Sequence, residues 1–555
     1  MNYLKKKIEK YSFFLFLISF VYYFFPLVNS GLIGDDAYNS QTIGRLIDDD
    51  LNIFEYYYKE ALSWYWNNGR LFPISIGMYF LFYIIENVVL IKTYYLILIL
   101  LNLIIFYNII LNFTLSKKFS FFIIIFIFTS IQFRLWHDPV LSFHGLLQTL
   151  TLFFFLSIYF FQKYYLYKKL IYINLSAFFY FLSLLTYEVS YLFILFLFLM
   201  VYFNEGNFLK SINILKKHFI LFFIVLILVA IAKVKISITG ENFYPSYEQN
   251  FNNINFIKSF FIQITSSFNL TYTLAHAYKF GTSFVYNNSN YFDLVFILIL
   301  YILFSLNLEK KTIHNQKLLL ILSLYVIIFT SILVSITGHQ DELANIGPGI
   351  GYLPIYIQYF FSCIILFFLA QKIAQFNSII KKLLYFLIPV VLTLSAYLHL
   401  LTNREVVKVI NKDWKEPRAF FKKILLSEEI SFLNNGDLII RENNKPHDWM
   451  WFYTQYTKKK FIYCDLIKKK YEYCYPHHKF LDFQKKPGKI YLLTKDIENK
   501  KYIFYDIENI NLNERIFHNL TINKKHIFEE KNNKLFSETV NTKKKINIMY
   551  LVNQN

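Results

Sequence analysis

A chain of 555 residues that is 56% hydrophobic and 21% aromatic is not built as a water-soluble protein. Its apolar runs reach roughly 16 to 22 residues, against the about 20 a helix needs to cross hydrocarbon, and they are too long and too uniform for barrel strands. The net charge of +20 does not point to nucleic acid, because the lysines gather beside apolar runs and through the polar C-terminal part, as membrane orientation and a basic surface near anionic lipid require.

In chain order, Lys5-Lys6-Lys7 precede the first run, residues 11–28, and place the N-terminus in the cytoplasm. That run is long for a cleaved signal, and the Gly34-Asp35-Asp36 that follows is a poor cleavage context. Residues 29–73 form a first external loop. Residues 43–58 have enough helical periodicity for one or two short helices lying on the membrane, with Tyr56-Tyr57-Tyr58, Trp64 and Trp66 as interfacial anchors. Runs at 72–91, 93–113 and 119–134 follow. Parity of the crossings leaves one of the first two runs short of a full crossing, and 72–91 is expected to be the interfacial or re-entrant one. Further spans are expected at 141–161, 170–186, 189–203, 218–236, 291–308, 317–337, 354–371 and 383–401, with a second external point at His137-Asp138-Pro139 and a later, long polar external loop at 237–290. Lysines at 163–169, 204–217 and 372–382 mark the inner side.

The segment after Thr402 is polar and long enough for a small domain. Strands are expected at 437–441, 461–467, 489–494 and 502–506, and a helix at 414–426. The expected architecture is a polytopic α-helical membrane protein of about 11–12 spans, with a membrane domain over 1–402 and an external mixed α/β domain over 403–555. Cys363 lies in a span and reads as an apolar filler, whereas Cys464 and Cys474 sit in the tail and are free to pair in an oxidising compartment.

The uncommon polar residues collect on one side of this topology. Asp35, Asp36, Arg45 and Arg70 come from the first loop. His137, Asp138 and His144 come from the second, Glu188 from a break between short spans, and His339, Asp341 and Glu342 from a late loop broken by Gly347-Pro348-Gly349. Arg404 follows the last span. Each has a plainer explanation: Asp35 as a helix cap, Asp138-Pro139 as a helix junction, His144 as a buried hydrogen-bonding residue, Arg70 as a snorkelling side chain. An acid at the depth of Glu188 is a functional candidate by default. No zinc spacing, phosphate loop, nucleophile elbow or nucleotide fingerprint is present in the sequence, which argues against a cytoplasmic ATP-driven or nucleotide-sugar enzyme.

Taken together, the acidic pair after the first span, the long first loop, the acid at Asp138 and the external C-terminal domain resemble the membrane glycosyltransferases of the GT-C fold. Protein O-mannosyltransferases and bacterial lipid A aminoarabinose transferases are close in plan. The Gly-Asp-Asp, Asn-Gly-Arg and Thr-Tyr-Glu stretches are similar to those of bacterial O-antigen glucosyltransferases. The resemblance spans roughly residues 1–405. It implies an enzyme of the bacterial inner membrane that moves a sugar from a polyprenyl-phosphate carrier to a glycan, lipid or protein acceptor on the outer side. It further implies Asp35 or Asp36 as the catalytic base, with Asp138 and Glu188 as further acids, and Arg404, Arg70, His339, Lys279 or His137 toward the lipid phosphate or substrate. A divalent cation, Mg or Mn, held by Asp35, Asp36 and Asp138 is compatible with it. Two rival classes stay open: an O-antigen polymerase or ligase, which would be expected to carry arginine-rich external loops, and a lipid-linked sugar transporter, which would carry ionisable groups at mid-membrane.

Overall fold

The computed structural model describes residues 2–135, 137–239, 253–309, 313–337, 349–373, 378–442, 450–467, 470–475, 488–496, 500–508, 520–531 and 534–546. The chain divides into two compact units. One comprises residues 1–30, 57–81 and 87–409, and the other residues 31–56, 82–86 and 410–555.

The first unit is helical. Among the described residues eight helices are long and apolar enough to cross a membrane: Tyr11–Asn29, Val88–Thr114, Phe143–Tyr167, Glu188–Glu205, Lys216–Thr239, Gln316–Ser335, Ile355–Ile373 and one that begins at Lys381. The remaining apolar runs make shorter helices. Leu170–Leu184 has 15 residues and Phe292–Asn307 has 16, so at 1.5 Å per residue they fall short of a ~30 Å hydrocarbon core. The run at 72–91 breaks into Pro73–Gly77 and Phe80–Ile84, consistent with a non-crossing segment.

Side-chain caps set the helix ends where the sequence places Asn or Ser. Asn87 accepts from the amides of Val89 and Leu90, and Ser116 from that of Phe119. Helix contacts combine aromatic packing with a few polar ties. Phe154 stacks on Phe193 at 3.6 Å between centroids. Asn102 donates to the Gln148 carbonyl at 2.9 Å, and Gln358 to Thr330 at 2.7 Å. The Lys216–Thr239 helix keeps Phe223, Ile227, Ile231, Val234 and Ile238 exposed, an apolar face that water would penalise and lipid would not.

The segment expected as a polar loop over 237–290 contains helices at Asn253–Ser266 and Thr271–Phe280. Its Asn and Ser content masks an amphipathic pattern, since Ile262, Gln263 and Ser266 are buried while Ile254, Ile257 and Phe261 on the same helix are exposed.

The second unit joins the first loop to the tail. A seven-stranded sheet has the order β3-β2-β1-β4-β5-β6-β7, with β1 Leu438–Glu442, β2 Ile462–Ile467, β3 Lys470–Tyr475, β4 Ile490–Asp496, β5 Lys501–Glu508, β6 Leu520–Lys531 and β7 Lys534–Ile546. Strand β1 runs parallel to β2 and β4, and the other pairs are antiparallel. Helices Glu416–Leu425 and Met450–Thr457 supply Phe421, Ile424, Phe452 and Tyr453 to a core completed by Ile439, Tyr491, Leu493, Tyr502 and Phe504 of the sheet. From the first loop, helices Gly34–Asn39 and Thr42–Asp49 belong to this unit. The next helix, Ile53–Asn68, opens with a capping box: Asn52 Oδ1 accepts from the Glu55 amide while Glu55 Oε2 accepts from the Asn52 amide.

The β2–β3 register sets Cys464 directly opposite Cys474. Facing residues in an antiparallel pair have Cα atoms about 4.5–5.5 Å apart, inside the span a disulfide bridges. A tail on the outer side is therefore expected to carry this bridge, worth about 2–3 kcal/mol through the loop it closes. Mass spectrometry of non-reduced peptides from protein taken from its own membrane checks this. Full alkylation of both thiols would count against the bridge and against an outward tail.

Candidate functional site

In the second unit the acidic pair sits on a small, tightly tied platform. Asp35 and Asp36 occupy the first turn of the Gly34–Asn39 helix, where amide dipoles favour negative charge. Asp35 is exposed and Asp36 wholly buried. The platform is fastened from the tail. Arg418 Nη1 donates to the Ala37 carbonyl at 3.2 Å, Arg418 Nη2 donates to Ser40 Oγ, and the guanidinium lies 4.7 Å from the Phe452 ring centre. Arg45 donates to Tyr56 Oη at 2.7 Å and to the Tyr38 carbonyl at 2.9 Å, and lies 3.5 Å from the Tyr38 centroid and 4.6 Å from that of Trp451. Position 44 has to be glycine, because a Cβ there would lie 2.0 Å from the Trp451 carbonyl oxygen.

In the first unit a cavity of about 570 Å³ lies along helix Thr271–Phe280, with a largely apolar lining that includes Leu135, Tyr272, Leu274, Tyr278, Phe280 and Ile350. Its polar groups are Thr265, Thr271, His276 and Lys279. Lys279 is exposed in the last turn, where a cation complements the helix carbonyls, and has no carboxylate partner among the described residues. His276 is buried against Phe280 and Phe284, and neither ring nitrogen has a hydrogen-bond partner among the described residues. Burial pushes its imidazole below the ordinary value, with Glu405 opposing. Gly349 has φ +89°, and a Cβ there would lie 2.7 Å from the Thr271 carbonyl oxygen. The chain can close over the cavity wall only because that residue is glycine.

Beside Leu135, Arg134 is fully buried. Its Nη2 donates to Tyr359 Oη at 2.6 Å and to the Ser266 carbonyl at 3.3 Å, while Nε and Nη1 find no partner among the described residues. Asp138 is spent on the same loop: its carboxylate accepts from the backbone amides of Arg134, Val140 and Leu141 at 2.5, 2.7 and 2.5 Å. Burial pushes this carboxyl up, and the three amides and Arg134 pull the other way. The geometry makes Asp138 the organiser of a turn.

Other residues singled out from sequence are engaged within the first unit. Arg70 clamps Glu188 bidentately, with Nη2 donating at 2.7 Å, and Phe72, Trp64 and Tyr187 surround the guanidinium. Arg404 forms a fork-to-fork pair with Asp293 at 2.8 and 2.9 Å, and Tyr22 Oη bridges the two. His137 stands 5.2 Å from the Tyr352 ring, and His144 Nε2 lies 3.4 Å from Ser75 Oγ. His339, Asp341 and Glu342 lie outside the described residues. Among the described residues no group of three or more His, Cys, Asp or Glu side chains is arranged to hold a metal ion.

Sequence reasoning passed over Arg134, Asp293, His276 and Arg418. Asp293 carried a readable signal, a lone acid at the mouth of an apolar run. Arg134 was taken for the end of a span. No protein-family profile matches the chain, and no curated protein matches it at a significant level.

Proposed function

We propose that the protein is a membrane glycosyltransferase that takes a sugar from a polyprenyl-phosphate carrier and passes it to a hydroxyl acceptor on the outer face. The observation that carries this reading is the mixed character of the Thr271–Phe280 cavity. Apolar walls suit a prenyl chain, and an ammonium without an acid partner among the described residues stands at the polar side. Arg404 and Arg70, which the sequence put ahead of Lys279, have their charges met by Asp293 and Glu188. Among the described residues Lys279 thus comes first for the lipid phosphate; His339, which the sequence put ahead of it, lies outside them.

In the reaction the acceptor oxygen attacks the anomeric carbon as the bond from that carbon to the phosphate oxygen breaks. A carboxylate takes the hydroxyl proton, the role the resemblance gives to Asp35 or Asp36, and the lipid phosphate leaves with the bonding electrons. An anionic carboxylate also favours the oxocarbenium-like centre, and a cation at the phosphate favours the leaving group.

The test uses purified, folded protein with a panel of labelled polyprenyl-phosphate hexoses. Sugar should leave the lipid and appear on acceptor or water. Lys279→Gln should raise the KM for the lipid donor roughly tenfold, equivalent to about 1.4 kcal/mol, with kcat little changed, while Lys279→Arg keeps most of the affinity. Failure of every lipid-linked hexose to react, together with no binding of polyprenyl phosphate, would remove the reading.

A further inference from the structure

An open groove of about 1070 Å³ lies on the sheet of the second unit, formed by β4–β7 and lined mostly by polar residues. It lies at a place where the ladder is irregular. Between β5 and β6 the register shifts from Asp506↔Lys524 to Ile507↔Ile522, which leaves Asn523 unpaired. Between β6 and β7 it shifts from Lys524↔Asn541 to Ile522↔Lys544, so that Thr542 and Lys543 face the same unpaired Asn523. Bulges of this kind re-aim side chains and recur beside binding sites. Here Asn523, Thr542 and Lys543 all line the groove.

The groove mixes charges in a way a plain basic patch does not. Lys489, Lys524 and Lys543 are exposed, and among the described residues neither Lys524 nor Lys543 makes an ion pair within 4 Å, although Lys524 stands opposite Asp506 in the ladder. Asp506 is buried in the groove lining with Lys489 Nζ 3.8 Å away, and Glu508 is exposed beside it. Asn523 and Asn541 add amide donors and acceptors, and the Thr542 hydroxyl has no hydrogen-bond partner among the described residues. A uniformly charged polyanion would meet Asp506 and Glu508 as repulsion. A polyhydroxylated chain with spaced negative charges would give its hydroxyl protons to those carboxylates and its anions to the lysines. The volume exceeds the ~300–1,000 Å³ of small-molecule sites, so several sugar units fit better than one.

We propose that this groove is a binding site for an acidic oligosaccharide. Binding here is read without any transfer, so the proposal stands or falls apart from the enzymatic reading.

The experiment measures binding of three probes to the purified full-length protein by calorimetry: tetragalacturonate, neutral maltotetraose and a tetraglutamate peptide. Tetragalacturonate should bind at least tenfold more tightly than either control. The pair Lys524→Gln and Lys543→Gln, both at exposed positions, should weaken it tenfold or more with the thermal midpoint unchanged. Asn523→Ala with Asn541→Ala should also weaken it. Equal binding of tetraglutamate would mean a plain basic patch and overturn the proposal. So would equal binding of maltotetraose, absence of tetragalacturonate binding at millimolar concentration, or indifference of that binding to the lysine pair.

Discussion

Asp35→Asn should lower sugar transfer by about 10²–10⁴-fold, the range a positioned base contributes, while expression, folding and affinity for the lipid donor stay near the parent. Asparagine keeps the shape of the side chain and most of its hydrogen bonding but removes the charge and the proton affinity. Asp35 is exposed, so the substitution buries no new polar group. Asp36 is wholly buried, so Asp36→Asn should act on the platform first, lowering the thermal midpoint along with activity. The readouts are initial rates at saturating donor, donor KM and the midpoint of unfolding. Full activity in both variants would take the carboxylate out of the mechanism, and most of the case for transfer with it.

Arg404→Ala should cost about 3–5 kcal/mol of stability, because it leaves the carboxylate of Asp293 buried without its cation. Tyr22 and the Asn290 amide would still donate to that carboxylate, but neither carries charge. The diagnostic is the double variant. Arg404→Ala with Asp293→Asn should recover a large part of the loss, since the stranded charge goes too. Thermal unfolding in detergent of the two single variants and the double one measures the coupling. If Arg404→Ala instead keeps the midpoint and raises the donor KM, Arg404 is the phosphate ligand that the sequence first put forward, and the Asp293 pair is dispensable.

Much of the helical unit was legible because length and apolarity alone dictate it. Runs such as 93–113 and 317–337 have only one way to satisfy their backbone in lipid, and they fold as Val88–Thr114 and Gln316–Ser335. Strands β1, β2, β4 and β5 were readable from their β-branched and aromatic alternation. The rest of the sheet was not: β7, with its Lys543-Lys544-Lys545 run and scattered polar residues, is an edge strand, where lysine guards against unwanted pairing and the alternation that would reveal a strand is lost. Of the candidate residues, Asp35 could be named because a rare acid beside an apolar run stands out, whereas Lys279, one lysine among many in a polar stretch, ranked last for the phosphate. Arg134, Arg418 and the Arg404–Asp293 pair could not be named. What defines them is a partner brought in by tertiary packing: Tyr359 for Arg134, Ala37 and Ser40 for Arg418, Asp293 for Arg404. Nothing in the local pattern of residues 31–56 shows that their packing partners are Trp451, Arg418 and Asn411.

That last partnership has a consequence in time. The segment 31–56 is made early, whereas Trp451, whose carbonyl presses on Gly44, and Arg418, which holds Ala37 and Ser40, come roughly 350 residues or more later. At ~5–20 residues per second the ribosome needs about 20–70 s to cover that distance. Through that interval the segment bearing Asp35 and Asp36 has emerged without the surfaces that fasten it. The acidic platform is thus a late product of biogenesis. A chain cut short before Arg418 would have its apolar helices in place while residues 31–56 still lacked their fastening.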